Sequence, residues 1–526
     1  MSTAPFRPSP DSLSADAETG PDGLRRTLKR RHMNLIALGG VIGAGLFVGS
    51  GVVIHATGPA AIVSFLIAGA IIVSVMRMLA EMAVARPAVG SFYAYAREAL
   101  GPRAGFLVGW MYWYFFVIVV ALEAVAGARI VGLWLPTVPL WVTCLVLMAL
   151  LTGTNLISAR SYGEFEYWFS GIKVAAITVF LFLGALYLLG LWPHAAGGLG
   201  NLVSHGGFAP LGIGAILAAV VPCIGFYTGA EIVTIAAAEA AEPGPAVARA
   251  MRSIVLRVLA FYVLSVFVVV SVLPWDSPAI KVSPYAAVLG ALHIPAVETI
   301  MNAVVLVAVL SCLNSALYTT SRMLFALTRH GDAPRGLTKL GRNRVPSRAI
   351  LAGTVVGFVS VVFEFFSPDR VFAFIVNSYG AVALFVYLLI AVSQVALRRR
   401  AERAGTALAL KMWLFPWLSY TTIAAMLAVI LAMAVLPDTR SQFYLSLVTV
   451  VVILAATRRG RGGAPTPTSR SARKPAPPAE SPPVRCGIDW CASEDWDVSS
   501  QLMAGFLTQR RWIDCCFVTS SACQLG

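Results

Sequence analysis

The sequence predicts an all-α integral membrane protein with about twelve transmembrane helices, since a spanning helix needs about 20 mostly apolar residues. Of its 526 residues, 58% are hydrophobic and only 12% are charged, whereas a soluble domain carries about 25% charged residues. Two of the apolar segments are interrupted by glycine or proline, which a continuous helix disfavours. Together these observations predict a helical bundle in which two of the spans are broken inside the membrane.

The predicted spans follow one another with mostly short loops between them. Their approximate ranges are 34–55, 59–80, 104–130, 137–156, 166–190, 212–238, 253–275, 297–325, 349–366, 370–396, 413–436 and 441–457. Arginine and lysine concentrate in the loops after the even-numbered spans, and such an excess is typical of cytoplasmic loops. We therefore expect both termini in the cytoplasm, and we interpret the net charge of +15 as topological anchoring rather than nucleic-acid binding.

The first span carries a glycine-rich break, LIALGGVIGAGLFVGSG over residues 35–51. Main chain left unpaired in hydrocarbon is costly, so a break is tolerated only where it lines a cavity or is buried in protein. A helix start offers N–H groups and a partial positive charge to a carboxylate. We predict a carboxylate-binding segment at Ile42, Gly43, Ala44 and Gly45. The alternative is close helix packing through small residues.

The sixth span carries a second break, VVPCIGFYTGAE over residues 220–231. Pro222 removes a backbone donor, and Gly225 and Gly229 follow it. The carbonyls of this break are predicted to meet an ammonium group, with Phe226 or Tyr227 as an aromatic lid. Interrupted spans at matching positions of two halves indicate a transporter's binding site. Spans one to five and six to ten are thus predicted to form two halves of opposite topology.

Glu123, Lys173 and Glu231 are ionisable residues inside predicted spans, where such groups are functional hypotheses by default. Lys173 is predicted to take up and release a proton, because burial in a low dielectric disfavours its charged form. The alternative is a lysine whose amine reaches the membrane interface. Glu123 is predicted to be the countercharge of Lys173, and Glu231 a further proton-coupling group. Each of the two glutamates also fits a structural partner of a helix end.

Several other classes of function lack their signatures in this sequence. No P-loop, HExxH or GxSxG motif is present, so neither ATP-driven transport nor an enzyme is predicted, and no cofactor is expected. No repeated filter motif suggests a channel. Of the eight cysteines, Cys144, Cys223 and Cys312 lie singly in apolar segments. The others lie in the tail, too loosely arranged to predict a metal site.

Over residues 24–457 the chain resembles amino-acid permeases of the amino acid–polyamine–organocation superfamily, and within it the bacterial γ-aminobutyrate (GABA) permeases. The motifs that carry the resemblance are Gly40–Gly51, Met76–Ala83, Gly90–Phe92, Gly109–Trp113, Gly229–Glu239 and Leu313–Leu324. The resemblance implies a leucine-transporter-type 5+5 inverted repeat with discontinuous helices 1 and 6. It also implies a substrate carboxylate at Gly43–Gly45, its ammonium near the carbonyls of span six, and a proton-linked Lys173. In one difference, Gly225 stands where relatives often carry a bulky aromatic residue.

We therefore expect a proton-coupled importer of a small amino acid, with GABA favoured, in the bacterial cytoplasmic membrane. Its partners are the substrate, the proton and the lipid bilayer. The alternatives are a permease or exchanger of the same fold for proline, alanine or β-alanine and, more distantly, a non-transporting amino-acid sensor. The predicted organisation is a disordered cytoplasmic segment 1–33, a permease domain 34–457 and a disordered cytoplasmic tail 458–526. Within the permease domain the repeats are 34–200 and 201–396, with two appended helices at 413–457.

Overall fold

The computed structural model describes residues 38, 40–88, 90–157, 159–193, 199–236, 243–294, 296–341, 345–366 and 368–459. The predicted N-terminal segment 1–33 lies outside these residues, and so does the predicted tail beyond Arg459.

Throughout the described residues, the regular secondary structure is helical. A π-helical turn, Gly45–Gly49, leads directly into the first α-helix. The α-helices are α1 (Ser50–Thr57), α2 (Ala61–Ala85), α3 (Phe92–Leu100), α4 (Pro102–Gly132), α5 (Leu140–Ile157), α6 (Ala159–Leu188), α7 (Gly212–Tyr227), α8 (Ile232–Ala236), α9 (Pro243–Val272), α10 (Pro278–Val282), α11 (Pro284–Ala291), α12 (Val297–Arg329), α13 (Ser347–Phe366), α14 (Pro368–Arg403), α15 (Trp417–Val435) and α16 (Pro437–Arg459).

The described part of the chain contains nine helical stretches long and apolar enough to cross a bilayer. The longest, Gly45–Ala85, includes the first two predicted spans and is interrupted at Gly58, whose φ is +70°. Two further apolar helices, Arg257–Val272 and Ser347–Val359, are shorter. The predicted all-α membrane protein is therefore confirmed, while the twelve-span count and the inverted repeat stay predictions.

Small residues allow the central helices to approach one another closely. A Cβ atom placed on Gly109 of α4 would lie 2.7 Å from Leu327 of α12, and one placed on Gly184 of α6 would lie 2.4 Å from Val268 of α9. Membrane helices pack mainly through such close contact, because lipid tails are as apolar as the side chains.

The two predicted breaks lie among α4, α6, α9 and α12. Helix α12 packs along both α4 and α6, and α9 packs along α2 and α6. At the periphery, α15 and α16 expose large apolar side chains such as Leu431, Val435 and Val451. In a bilayer these side chains would face lipid acyl chains.

Candidate functional site

The chain is interrupted at the predicted position of the first break. Residues 40–43 form a turn and a bend, and the helix resumes at Ala44 with the wider π-helical turn Gly45–Gly49. The Gly43 carbonyl accepts the N–H of Leu46 at 3.2 Å, which closes the start of this new helix. Such π-helical turns occur frequently at functional sites.

The break releases carbonyl groups from the hydrogen-bond pattern of a continuous helix. These carbonyl groups accept hydrogen bonds from side chains of other helices. Tyr262 of α9 places its hydroxyl oxygen 3.0 Å from the Val41 carbonyl oxygen. Cys312 of α12 lies with its Sγ 3.8 Å from the Gly40 carbonyl oxygen. Unpaired backbone in a membrane interior is costly, and these donors stabilise the interrupted conformation.

Lys173 binds the third released carbonyl of the first break. Its Nζ lies 2.7 Å from the Ile42 carbonyl oxygen and 2.9 Å from Ser311 Oγ on α12. The Lys173 side chain is fully buried, so its amine lies inside the protein.

Glu123 of α4 also contacts the first break. It accepts a hydrogen bond from the backbone of Ala44 and interacts electrostatically with Lys173. A Cβ atom on Gly43 would lie 3.1 Å from Glu123 Oε1 and 2.3 Å from Cys312 Sγ. A protein carboxylate therefore already lies at the helix start to which the sequence assigns the substrate's carboxylate.

The second break separates α7 from α8 over residues 228–231. Glu231 stabilises it, since its Oε2 accepts the Gly229 N–H at 3.0 Å and the Tyr387 hydroxyl at 3.0 Å. Its Oε1 accepts the Tyr112 hydroxyl at 2.9 Å. Through these bonds Glu231 supports the broken helix. This geometry fits the structural role, which is the alternative to its predicted proton-coupling role.

The two breaks touch through their main chains. Gly229 has a φ of +126°, and a Cβ atom there would lie 2.2 Å from the Gly40 carbonyl oxygen. Glycine alone combines this backbone conformation with such a close approach. The Tyr262 hydroxyl also lies 2.8 Å from the Phe226 carbonyl oxygen, so one tyrosine contacts a released carbonyl from each break.

Of the two predicted lid residues, Phe226 is the one that faces the first break. Its ring carbons lie 2.7 Å from the position of a Cβ atom on Gly45 and 2.5 Å from that on Gly49. Tyr227 points elsewhere, with its hydroxyl donating to the Phe65 carbonyl at 3.3 Å. In this conformation the Phe226 ring covers the glycine face of the π-helical turn.

The carbonyls of the second break are partly engaged within the chain. The Gly225 oxygen accepts the Thr228 N–H at 3.2 Å, and the Gly229 oxygen accepts the Ile232 N–H at 3.1 Å. The Phe226 carbonyl accepts instead from a side chain, the Tyr262 hydroxyl.

Sequence reasoning missed two residues of this cluster, Glu166 and Ser311. Ser311 Oγ lies 2.5 Å from Glu166 Oε1, which also accepts the Ser170 hydroxyl at 3.0 Å. Both Glu166 and Ser311 are fully buried. One signal was present in the sequence, because Glu166, Ser170 and Lys173 recur at the spacing of one helix face.

Comparison with known proteins places the whole transmembrane region in one family. The family profile described as amino acid permease matches residues 32–458. A gamma-aminobutyric acid permease of Bacillus subtilis (strain 168) is 50% identical over 434 residues, covering 82% of this chain and 92% of that protein. A gamma-aminobutyric acid permease of Escherichia coli (strain K12) is 46% identical over 419 residues, with coverages of 79% and 90%. An aromatic amino acid transport protein of Corynebacterium glutamicum is 37% identical over 453 residues, with coverages of 84% and 98%.

Proposed function

Because the chain belongs to the amino acid permease family, we propose that it imports GABA together with a proton across the bacterial cytoplasmic membrane. The observation that carries the proposal is the fully buried Lys173, whose amine binds the main chain of the first break. Through this bond the charge of Lys173 and the shape of the substrate site affect each other directly. The distribution of basic residues in the loops supports a cytoplasmic position for both chain termini.

The proposed substrate is supported by its chemistry as well as by the relatives named GABA permeases. GABA carries a carboxylate and an ammonium group joined by three methylene groups. The helix start at Ala44 and Gly45 offers N–H donors to the carboxylate, and the Phe226 carbonyl offers an acceptor to the ammonium. The Phe226 ring provides apolar surface for the methylene groups between the two ends.

Proton coupling is supported by the charges that would meet at the first break. A substrate carboxylate bound near Ala44 would lie beside the Glu123 carboxylate, and two adjacent like charges disfavour joint ionisation. Among the described residues, Glu123 Oε2 has no hydrogen-bond partner, so it is available to receive a proton. Substrate binding would therefore favour proton uptake by the Glu123–Lys173 cluster, and by reciprocal linkage the proton would favour substrate binding.

Purified protein in liposomes tests this function. We expect labelled GABA to accumulate when the lumen is made alkaline relative to the outside, in buffers without sodium. Equal uptake with no pH gradient, or strict dependence on sodium, would contradict proton coupling.

Competition by unlabelled proline, alanine, β-alanine and GABA tests the substrate. Stronger suppression by one of the other amino acids than by GABA would reassign the substrate within the same family. Tight GABA binding without any flux would instead indicate a sensor.

A further inference from the structure

We propose that Glu166 receives the coupled proton from Lys173 through Ser311, and that it begins the route by which the proton leaves toward the cytoplasm. This inference rests on the proposed proton coupling at Lys173 and adds a residue and a direction to it. It concerns the contact of Lys173 with Ser311 of α12, in addition to its contact with the first break.

The hydrogen bonds run in one direction from Lys173 to Glu166. The Lys173 ammonium has only donors, so it donates to Ser311 Oγ across 2.9 Å. The Ser311 hydroxyl donates in turn to Glu166 Oε1 across 2.5 Å. A hydroxyl that accepts from a cation and donates to a carboxylate has the polarity that proton transfer requires.

The transfer conserves protons and electron pairs. One N–H bond of the Lys173 ammonium breaks as an O–H bond forms at Ser311 Oγ, while the original Ser311 O–H bond breaks and a new one forms at Glu166 Oε1. The products are a neutral lysine amine, an intact serine hydroxyl and a protonated Glu166. When Lys173 is neutral, its attraction for the nearby carboxylates weakens. This favours release of the substrate and return of the cluster to its substrate-free state.

The position of Glu166 along α6 gives the route its direction. Glu166 precedes Lys173 by two helical turns, about 10 Å along the axis, toward the end of the helix at Ala159. The basic residues of the loops place that end at the cytoplasmic side. A proton on Glu166 is thus closer to the cytoplasm than a proton on Lys173.

Polar side chains continue beyond Glu166 along the seam between α6 and α12. Tyr162 of α6, one turn further, has its hydroxyl 3.3 Å from Ser315 Oγ of α12. Its ring stacks on Tyr318 with a centroid distance of 4.0 Å, and the Arg322 guanidinium lies 4.1 Å from the centre of the Tyr318 ring. Buried polar groups are expensive inside a membrane protein, so this series of them beyond Glu166 supports a route for the proton along the seam.

Among the described residues, titratable groups on neighbouring helices also face this pair. Glu123 on α4 interacts with Lys173, and Cys312 on α12 interacts with Glu123, Lys173 and Glu166. Glu123 lies against the first break, on the substrate side, whereas Glu166 lies on the Ser311 side. The proposal therefore gives the two carboxylates different roles, with Glu123 beside the substrate and Glu166 on the exit route.

Four variants in liposomes test the proposal, with GABA accumulation driven by a pH gradient and GABA exchange at equal pH as the two readouts. Glu166→Gln keeps the shape of the side chain but cannot hold the proton, and Ser311→Ala removes the bridging hydroxyl. We expect both to lower gradient-driven uptake roughly 100-fold and to flatten its dependence on internal pH, with exchange retained. Ser311→Thr restores the hydroxyl and should keep gradient-driven uptake, as should the control Thr178→Val, an exposed position of α6.

Unchanged gradient-driven uptake in both Glu166→Gln and Ser311→Ala would overturn the proposal. If Lys173→Ala lost gradient-driven uptake in the same experiments, Lys173 would keep its role in proton coupling, but Glu166 and Ser311 would not be on the route of the proton. Loss of exchange in both variants would also overturn it, since that pattern indicates a structural role. Failure of the unaltered protein to respond to a pH gradient would instead refute the proposed function itself.

Discussion

At the scale of single residues, the three predicted ionisable positions have different environments. Lys173 and Glu123 both contact the first break, whereas Glu231 accepts hydrogen bonds from donors that stabilise the second break. The roles of these three residues stay predictions, and their contacts favour proton coupling for Lys173 and Glu123 and structural support for Glu231.

Removing the amine of Lys173 should uncouple transport from the proton. In Lys173→Ala the Ile42 carbonyl loses its donor and the cluster loses its positive charge, so we expect gradient-driven GABA accumulation to disappear while some exchange survives. Thr178→Val, on the exposed face of the same helix, is the matched control. Concentrative uptake at the normal level in Lys173→Ala would remove this residue from the mechanism.

Adding a single methyl group at Gly229 should separate the two breaks. The new Cβ atom would meet the Gly40 carbonyl at 2.2 Å in a conformation with φ of +126°. Such strain costs about 1–3 kcal/mol before any steric shift, so Gly229→Ala should lower the melting temperature in detergent and abolish uptake. Gly214→Ala on α7, where the nearest atom lies 3.9 Å away, should behave normally. Normal uptake by Gly229→Ala would show that the breaks do not need this contact.

At the scale of helices, α9 holds the two breaks together through one hydroxyl. Tyr262 contacts the Val41 carbonyl of the first break and the Phe226 carbonyl of the second. We expect Tyr262→Phe to raise the KM for GABA about tenfold, because the substrate then meets carbonyls that are less well positioned. Initial rates over a range of GABA concentrations measure this, with the exposed Tyr444→Phe of α16 as the control. An unchanged KM would mean that packing alone aligns the breaks.

The short helix α3 links the loop after α12 to the second broken span. Arg97 pairs with Asp332 at 2.5 Å, and the Tyr93 hydroxyl donates to the same carboxylate at 2.7 Å. Burial and this contact with Asp332 raise the pKa of Tyr93 well above its usual range, so its hydroxyl stays protonated as a donor. Ser91, just before α3, donates to Thr234 of α8 at 2.6 Å.

Weakening this cluster should loosen the helices that it joins. Asp332→Asn removes the charge that pairs with Arg97, and we expect faster hydrogen–deuterium exchange in α3 and α8 by mass spectrometry. Asp276→Asn is the control, because Asp276 is half-exposed and pairs with His205 at 3.5 Å. Identical hydrogen–deuterium exchange of α3 and α8 in the two variants would argue that the Arg97–Asp332 pair does not stabilise these helices.

At the scale of the whole molecule, the family match ends at residue 458 and α16 ends at Arg459. We expect a protein truncated after Arg459 to transport GABA at a rate within about twofold of the full chain, since no part of the candidate site lies beyond it. Uptake by equal amounts of purified protein measures the effect. A large loss of rate would assign the remaining residues a role in transport.

Local sequence by itself determined that the protein is helical, lies in a membrane and contains two breaks. Apolar length, basic loops, glycines and a proline act over one or two helical turns, so they are readable without the rest of the chain. The Gly43–Gly45 and Gly225–Gly229 segments and Lys173 were for that reason identifiable as candidates.

Tertiary packing alone decided which groups meet. Lys173 reaches Ile42 and Ser311, and Glu231 reaches Tyr112 and Tyr387, across separations of more than one hundred residues. The choice of Phe226 over Tyr227 beside the first break likewise depends on how α7 is rotated against the π-helical turn. Helical periodicity places a side chain on a face, but only the packing of helices distant in sequence determines what that face contacts.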